Sequence, residues 1–303
     1  MDITDRRNAS TDGPVDPDLP IDAVLTMFES MRMEELIKLR SVNHEFRALA
    51  TSVIRHRVHS LLQNFIDFRA FLQAMRDSNA VVSGSAVLLL LTDAVFEPSD
   101  LDVYLHHEHV SVFLAFLAKH GYEKVSFRAT DEKTYGQEFI STVYRYERVV
   151  RGAAAPTTFN VIVTSANPLL AILNFDITNV INALTVHGII VFYPTITFDN
   201  KFVINRLPLS IARHTKYQER GYREITIDEL SDKQKHLLKA CRHVHDQHTL
   251  FVPLHDGFDR DIWFEEGMEN VYWTMRNDEF GFPRPSFILD GNTRRGIVGV
   301  ELL

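Results

Sequence analysis

The sequence predicts an α+β fold in which helices come first and strands alternate with helices afterwards. Apolar residues recur at helical spacing over residues 21–54. A short apolar strand, a glycine, a serine and an apolar helix follow within 80–91. Later stretches alternate apolar and polar residues as strands do, at 125–128, 140–146 and 158–163. These patterns predict a helical region followed by a sheet with helices packed against it.

Composition limits the class of protein before any motif is considered. The 303 residues are 45% hydrophobic and 24% charged, which indicates a globular chain with room for about two domains. A net charge of −8 does not favour bulk nucleic-acid binding, so a nucleic-acid partner is not required by charge. Cys241 is the single cysteine, which excludes an internal disulfide and suits a reducing compartment. We therefore expect a cytoplasmic or nuclear protein.

No signal peptide or membrane anchor is expected. The first 18 residues are polar and acidic, and the longest apolar run, Ala86 to Leu91, is too short to cross a bilayer. The chain divides by composition into a flexible leader, a helical module, a helical connector, an α/β domain and a C-terminal cap region. The corresponding ranges are 1–18, 19–57, 58–79, 80–223 and 224–303.

The elements of the second half are less regular than those of the first. Residues 110–120 predict a helix that Gly121 ends as a C-cap. Asp176 is either a helix N-cap ahead of 180–184 or a functional acid. Residues 234–245 predict a helix with Cys241 facing inward.

Two aspartates alternate with apolar residues near the start of a predicted strand. Because side chains of a strand alternate between its faces, Asp100 and Asp102 point to the same side. Two carboxylates on one side can share a divalent cation such as Mg²⁺, which prefers oxygen ligands and substrate phosphates. The plainer alternative is a solvated strand end.

Gly84 and Ser85 suit the phosphate half of such a site. A glycine allows the backbone to come close to a ligand, and a serine fits the start of the helix 86–91. The order glycine-serine, helix, Asp100-Leu101-Asp102 resembles the nucleotidyltransferase superfamily of the polymerase-beta type. The resemblance implies a mixed sheet flanked by helices, Mg²⁺ at the two aspartates and a nucleoside triphosphate at Gly84 and Ser85.

Active nucleotidyltransferases commonly carry a third carboxylate on the neighbouring strand. The corresponding residue here is Asn160, whose amide cannot abstract a proton and is a weak ligand for a hard cation. Asp176 is the nearby substitute for this catalytic carboxylate, as a base or a further metal ligand. Lys216, in a basic segment over 213–222, is assigned to nucleotide binding with Asn160. Arg145, Arg148 and Arg151 are candidates for a phosphate-facing rim, or are simply solvated.

The N-terminal helices carry a second resemblance. Leu19 and Pro20, then the apolar residues of 36–42 and 46–50, resemble an F-box over about 19–57. This implies docking on a Skp-type adaptor of a cullin ubiquitin ligase, although Asn43 departs from the usual pattern. The alternative is an amphipathic helical cap that shares one core with the rest of the chain. The combination of both parts is similar to a group of fungal proteins that join an F-box-like N-terminus to a nucleotidyltransferase-like body.

A histidine-rich segment near the C-terminus invites a zinc interpretation. Its spacing matches no metal motif, and such stretches are more often exposed. The residues concerned are His243, His245, His248, His255, Asp246, Asp256 and Asp259.

Two hypotheses on function follow. Either the body is a Mg²⁺-dependent enzyme that moves a nucleoside monophosphate to a hydroxyl, or it is an inactive relative that binds a nucleotide or partner while the F-box recruits a ligase. The intact Gly84-Ser85 and Asp100-Leu101-Asp102 favour the first, whereas the replacement of the third acid by Asn160 and the F-box resemblance favour the second.

Overall fold

The computed structural model describes residues 21–129, 139–149, 152, 155–207, 210–255, 271–277 and 283–289. The helices are α1 (Ile21–Ser30), α2 (Met33–Leu39), α3 (His44–Gln63), α4 (Phe68–Ser78), α5 (Ser85–Leu91), α6 (Val110–Lys119), α7 (Pro168–Leu173), α8 (Pro194–Phe198), α9 (Ile211–Glu219) and α10 (Asp232–Lys239). Among these residues, no helix is long and apolar enough to cross a membrane.

The strands are β1 (Val81–Ser83), β2 (Asp100–His106), β3 (Glu123–Ala129), β4 (Ile140–Arg148), β5 (Thr157–Thr164), β6 (Asn182–Leu184), β7 (Gly188–Val191), β8 (Lys201–Phe202), β9 (Arg223–Glu224), β10 (Arg242–His243), β11 (Leu250–Pro253), β12 (Val271–Asn277) and β13 (Pro283–Leu289). Eight of them form one sheet in the order β11-β7-β6-β1-β2-β5-β4-β3. Strands β2 and β5 run parallel, whereas the other neighbours in this sheet are antiparallel. The prediction of an α+β fold with a mixed sheet flanked by helices is confirmed at this level.

Both faces of the central strands are buried, and each face has its own core. Val82 and Leu101 pack with the N-terminal helices, whereas Val81, Tyr104 and Ile162 pack in a second cluster on the opposite face. Alternate residues of one strand therefore serve different cores, as expected for a sheet covered on both sides. The two aspartates of β2 lie on the face of Tyr104, away from the N-terminal helices, because the strand period is two.

The N-terminal helices share a hydrophobic core with the sheet. Phe28, Leu36 and Ile54 are fully buried in the same cluster as Val82 and Leu101. This shared core is the feature expected of the helical cap alternative, while adaptor docking stays a prediction. The third helix also runs to Gln63, past the expected end at 57, and the connector is broken at 64–67, where Asp67 caps α4.

Two element predictions in the second half are wrong. Residues 180–184 form no helix: the 3₁₀ turn Thr178–Val180 is followed by strand β6, which pairs with β1 and β7 in the middle of the sheet. A short apolar run fits a buried strand as well as a helix, and only the neighbouring strands decide between them. The helix predicted over 234–245 ends at Lys239, and Cys241 is exposed because the chain turns there into β10.

Candidate functional site

A single amide joins the two aspartates of β2. In the parallel register of β2 and β5, Asp102 lies beside Asn160, which places the amide on the strand where sequence analysis expected it. The Asn160 Nδ2 atom donates to Asp100 Oδ2 at 2.9 Å and to Asp102 Oδ1 at 2.8 Å. The three side chains therefore form one cluster at the start of β2.

Gly84 closes the cluster from the side of β1. Its backbone has φ 76° and ψ −149°, a conformation open to glycine and strained for other residues. A Cβ atom at this position would lie 2.5 Å from Asp102 Oδ2. The glycine is thus required both by the turn between β1 and α5 and by the close approach of the Asp102 carboxylate. Ser85 is buried at the first position of α5.

The cluster opens into a cleft of about 410 Å³, within the size range of small-ligand sites. The sheet forms its floor, and the segment 174–180 and helix α9 form its walls. Asp100, Ser85 and Lys216 are not among its lining residues, and Asp100 is joined to the cleft through Asn160. The lining residues are Gly84, Asp102, Tyr104, Arg128, Ile140, Val143, Asn160, Ile162, Ala171, Asn174, Phe175, Asp176, Val180, Arg206, Ser210, Arg213 and Tyr217.

The electrostatics of the cluster favour a bound cation. Burial and, to a lesser extent, the neighbouring Asp100 carboxylate raise the pKa of Asp102 to about 6, against the lowering effect of the Asn160 hydrogen bond and of two nearby cations, Lys216 and Arg213. The Asp102 side chain still reaches solvent through the cleft. A cation would relieve both the lost hydration and the like-charge repulsion.

The donor set fits Mg²⁺ in part. Asp100 and Asp102 supply carboxylate oxygens from two positions of one strand. The Asn160 amide points its NH₂ group at both of them, and a half-turn of the amide would present its oxygen to an ion instead. The set is thus able to hold a hard cation, with one neutral ligand where a third carboxylate would give another charge.

Asp176 lies in the same cleft, but its carboxylate is already engaged. The Arg213 guanidinium donates to Asp176 Oδ1, and the Ser210 backbone N–H lies 3.4 Å from Oδ2. The backbone oxygen of Asp176 also accepts from Asn205 at 2.7 Å. Asp176 therefore fastens the loop before α9 to the wall of the cleft. Because both carboxylate oxygens are already engaged by these partners, this arrangement does not favour Asp176 as a general base.

The basic residues of the site are only partly those expected. Lys216 is exposed on α9, where desolvation and Arg220 lower its pKa, and it acts on Asp102 through its charge. Arg145 pairs with Glu147, and Arg148 donates to the Phe65 carbonyl at 2.6 Å, so the structure does not place Arg148 on a phosphate-facing rim. Arg151 lies outside the described residues.

Arg128, Arg206 and Arg213 line the cleft instead. None of these three arginines was predicted for the site from the sequence. Arg128 lies at the end of a predicted strand and Arg213 begins the basic segment, but Arg206 carries no sequence signal. Tyr104 and Tyr217 are buried beside the acids, and burial raises the pKa of both phenols.

The histidine-rich segment does not gather into a metal site in the described part of the chain. His243 Nδ1 accepts from the His245 backbone N–H at 3.2 Å, and Asp246 binds the buried Arg242 guanidinium. That ion pair lowers the pKa of Asp246 to about 2 despite its burial. Asp256 and Asp259 lie outside the described residues.

A larger cavity, of about 890 Å³, lies between α2, α8, α10 and β11. Its wall is mostly apolar, and its buried cation Arg242 is committed to Asp246, to Thr249 Oγ1 at 3.1 Å and to the Phe192 carbonyl at 3.3 Å. The candidate site is therefore the smaller cleft, which is lined by Asp102, Asp176 and three arginines.

No protein-family model matches this chain, and no curated protein is similar to it in sequence.

Proposed function

We propose that the cleft binds a nucleoside triphosphate together with Mg²⁺, in a nucleotidyltransferase-like domain that lacks a complete catalytic site. The observation that carries the proposal is the Asn160 amide, which lies between Asp100 and Asp102 where a third carboxylate would complete the set. The pair of acids and the close approach of Gly84 are present, while the proton acceptor is missing.

The charge and shape of the cleft suit a phosphorylated ligand. Arg128, Arg206 and Arg213 contribute guanidinium groups, which match phosphate oxygens in geometry and charge. Mg²⁺ between the acids and the phosphates would neutralise charge on both sides. Phe175 and Ile162 supply apolar surface for the uncharged part of the ligand. We therefore expect a ligand whose anionic end lies at the acids and arginines and whose flat apolar end lies beyond them.

Nucleotidyl transfer needs a further group. An acceptor hydroxyl would attack the α-phosphorus as the bond to pyrophosphate breaks, and the hydroxyl proton must go to a base. Asn160 cannot accept that proton, and Asp176 is bound by Arg213. We therefore expect binding with little or no transfer.

Calorimetric titration with each common nucleoside triphosphate, with Mg²⁺ and with a chelator, tests the binding. We expect binding that requires Mg²⁺ and that falls at least about tenfold in Asp102→Asn, because one anionic ligand is lost. Asp228→Asn is the matched control, since Asp228 is exposed and outside the cleft. Equal binding without Mg²⁺, or equal binding by Asp102→Asn, would contradict the proposal.

The enzymatic alternative has its own test. Transfer from an α-labelled triphosphate is measured for wild type, Asn160→Asp and Asp176→Asn. The proposal expects activity, if any, in Asn160→Asp alone, since this change adds the missing anion at the same position. Transfer by wild type that Asp176→Asn abolishes would show an enzyme with Asp176 as its third acid.

We also propose, from the F-box resemblance, that the N-terminal helices dock on a Skp-type adaptor and through it on a cullin ligase. Met27 on α1 and Val42 after α2 are exposed apolar residues, 45% and 60% accessible, as a docking face requires. Leu36 is fully buried in the shared core, so a charge there would disturb the whole fold.

Affinity capture by the full chain with purified Skp-type protein tests the docking. Met27→Glu and Val42→Glu should abolish capture with the fold intact. Val95→Glu is the control, because Val95 is equally apolar, 99% exposed and remote in sequence from α1 and α2. If wild type captures no adaptor, the N-terminal helices are only a structural cap.

A further inference from the structure

A second cluster of ligand-type side chains lies at the other end of β2. His106 ends the strand, and His107 and Glu108 begin the 3₁₀ turn that follows it. Each offers one ligand atom, and these atoms lie within 4.8 Å of one another. Ligands of a tetrahedral Zn²⁺ ion are about 3.4 Å apart when each lies about 2.1 Å from the metal, so small side-chain rotations would close the set.

The turn is what brings these neighbours together. Consecutive residues of a continuing strand would point to opposite faces of the sheet. Here the tighter 3₁₀ turn folds the chain back, so that the His106 and His107 ring centroids lie 4.1 Å apart. Glu108 Oε2 reaches to 3.4 Å from His106 Nδ1. The cluster is therefore local and depends on one backbone feature.

The orientation and exposure of these side chains suit a metal. The Ser165 backbone is hydrogen-bonded to the His106 ring, an interaction that typically orients metal-binding histidines. His107 and Glu108 are exposed, so an ion has access.

We propose that His106, His107 and Glu108 bind a divalent transition-metal ion, Zn²⁺ in the first place, with a remaining position for water. Two imidazole nitrogens select such ions over Mg²⁺, which prefers oxygen. His106 is four residues beyond Asp102, roughly 13 Å along a strand, so this site is separate from the carboxylate cluster. It does not depend on the function proposed for the cleft.

Titration of the full chain with Zn²⁺ against a chromogenic chelator tests the site at neutral pH. We expect one ion per chain with micromolar affinity, and a loss of at least about tenfold in His107→Ala, since a ligand is removed. His109→Ala is the matched control: it removes a half-buried histidine of the same turn that lies outside the ligand set.

Three further results sharpen the test. Glu108→Gln should weaken Zn²⁺ binding with the histidines intact, and excess Mg²⁺ should not displace Zn²⁺. Circular dichroism should show the same fold for every variant. Equal Zn²⁺ affinity of wild type and His107→Ala, or a loss in His109→Ala as large as that in His107→Ala, would overturn the assignment. So would a wild-type chain that binds no Zn²⁺ at submillimolar concentration.

Discussion

Each end of β2 carries a pair of ionisable side chains of like charge. At the first end, Asp100 and Asp102 bring two carboxylates close together, and burial raises the pKa of Asp102. At the second end, His106 and His107 bring two imidazole rings close together, and burial lowers the pKa of His106. In both cases burial disfavours the charged form of one side chain of the pair.

The difference lies in how each cluster is assembled. The carboxylate cluster depends on residues far apart in sequence, because Asn160 comes from β5 and Gly84 from the turn after β1. The histidine cluster is made by one turn of consecutive residues. The first is therefore coupled to the stability of the sheet, and the second is nearly independent of it. The following predictions test this difference.

Gly84→Ala should have the largest effect. The new Cβ would lie 2.5 Å from Asp102 Oδ2 on a backbone with φ 76°. We expect a loss of about 3 to 4 kcal/mol in the free energy of unfolding, measured by urea denaturation. Gly221→Ala is the control, since Gly221 has φ 87° but no atom within 4 Å of the added Cβ. It should lose about 1 kcal/mol from backbone strain alone.

Asp102→Asn should stabilise the chain without metal. The folded pKa of about 6 exceeds the ordinary aspartate value of 3.8, so the folded state binds the proton more tightly and wild type loses stability as pH rises between these values. At pH 7 the variant should be more stable by up to about 3 kcal/mol, with the difference vanishing below about pH 4. Denaturation with a chelator at both pH values measures this. A variant less stable at pH 7 would contradict the assigned burial.

Asn160→Asp should destabilise the chain without metal by about 2 kcal/mol, because two hydrogen bonds to carboxylates are replaced by repulsion. Mg²⁺ should restore the thermal midpoint of this variant more than that of wild type. Equal Mg²⁺ effects on both proteins would show that Asn160 does not face the ion.

His107→Ala should change the free energy of unfolding by no more than about 0.5 kcal/mol, because the residue is exposed. Thermal denaturation with a chelator checks this value. A large loss would show that the histidine turn is a structural element of the sheet, and the contrast between the two ends of β2 would fail.

The spacing of apolar residues within a single segment was enough to predict several strands and one helix. The alternation at 125–128, 140–146 and 158–163 predicted β3, β4 and β5, and the period of two placed Asp100 and Asp102 on one face. The helix 110–120 also lies where α6 was expected. Their spacing identified these elements but did not fix their burial, since Val125 and Phe127 of β3 remain exposed.

Other features depended on partners that the sequence does not identify. The run 180–184 is a strand because β1 and β7 flank it, and Asp176 is engaged because the chain returns after Asn205 to place Arg213 beside it. Arg206 lies in the cleft because it belongs to the same segment, which comes back to the wall of the cleft at Asn205. The N-terminal helices are recognisable as helices, but only packing shows that their core is the core of the sheet. Spacing along the chain encodes local faces, whereas contacts between distant segments form only when the whole sheet is assembled.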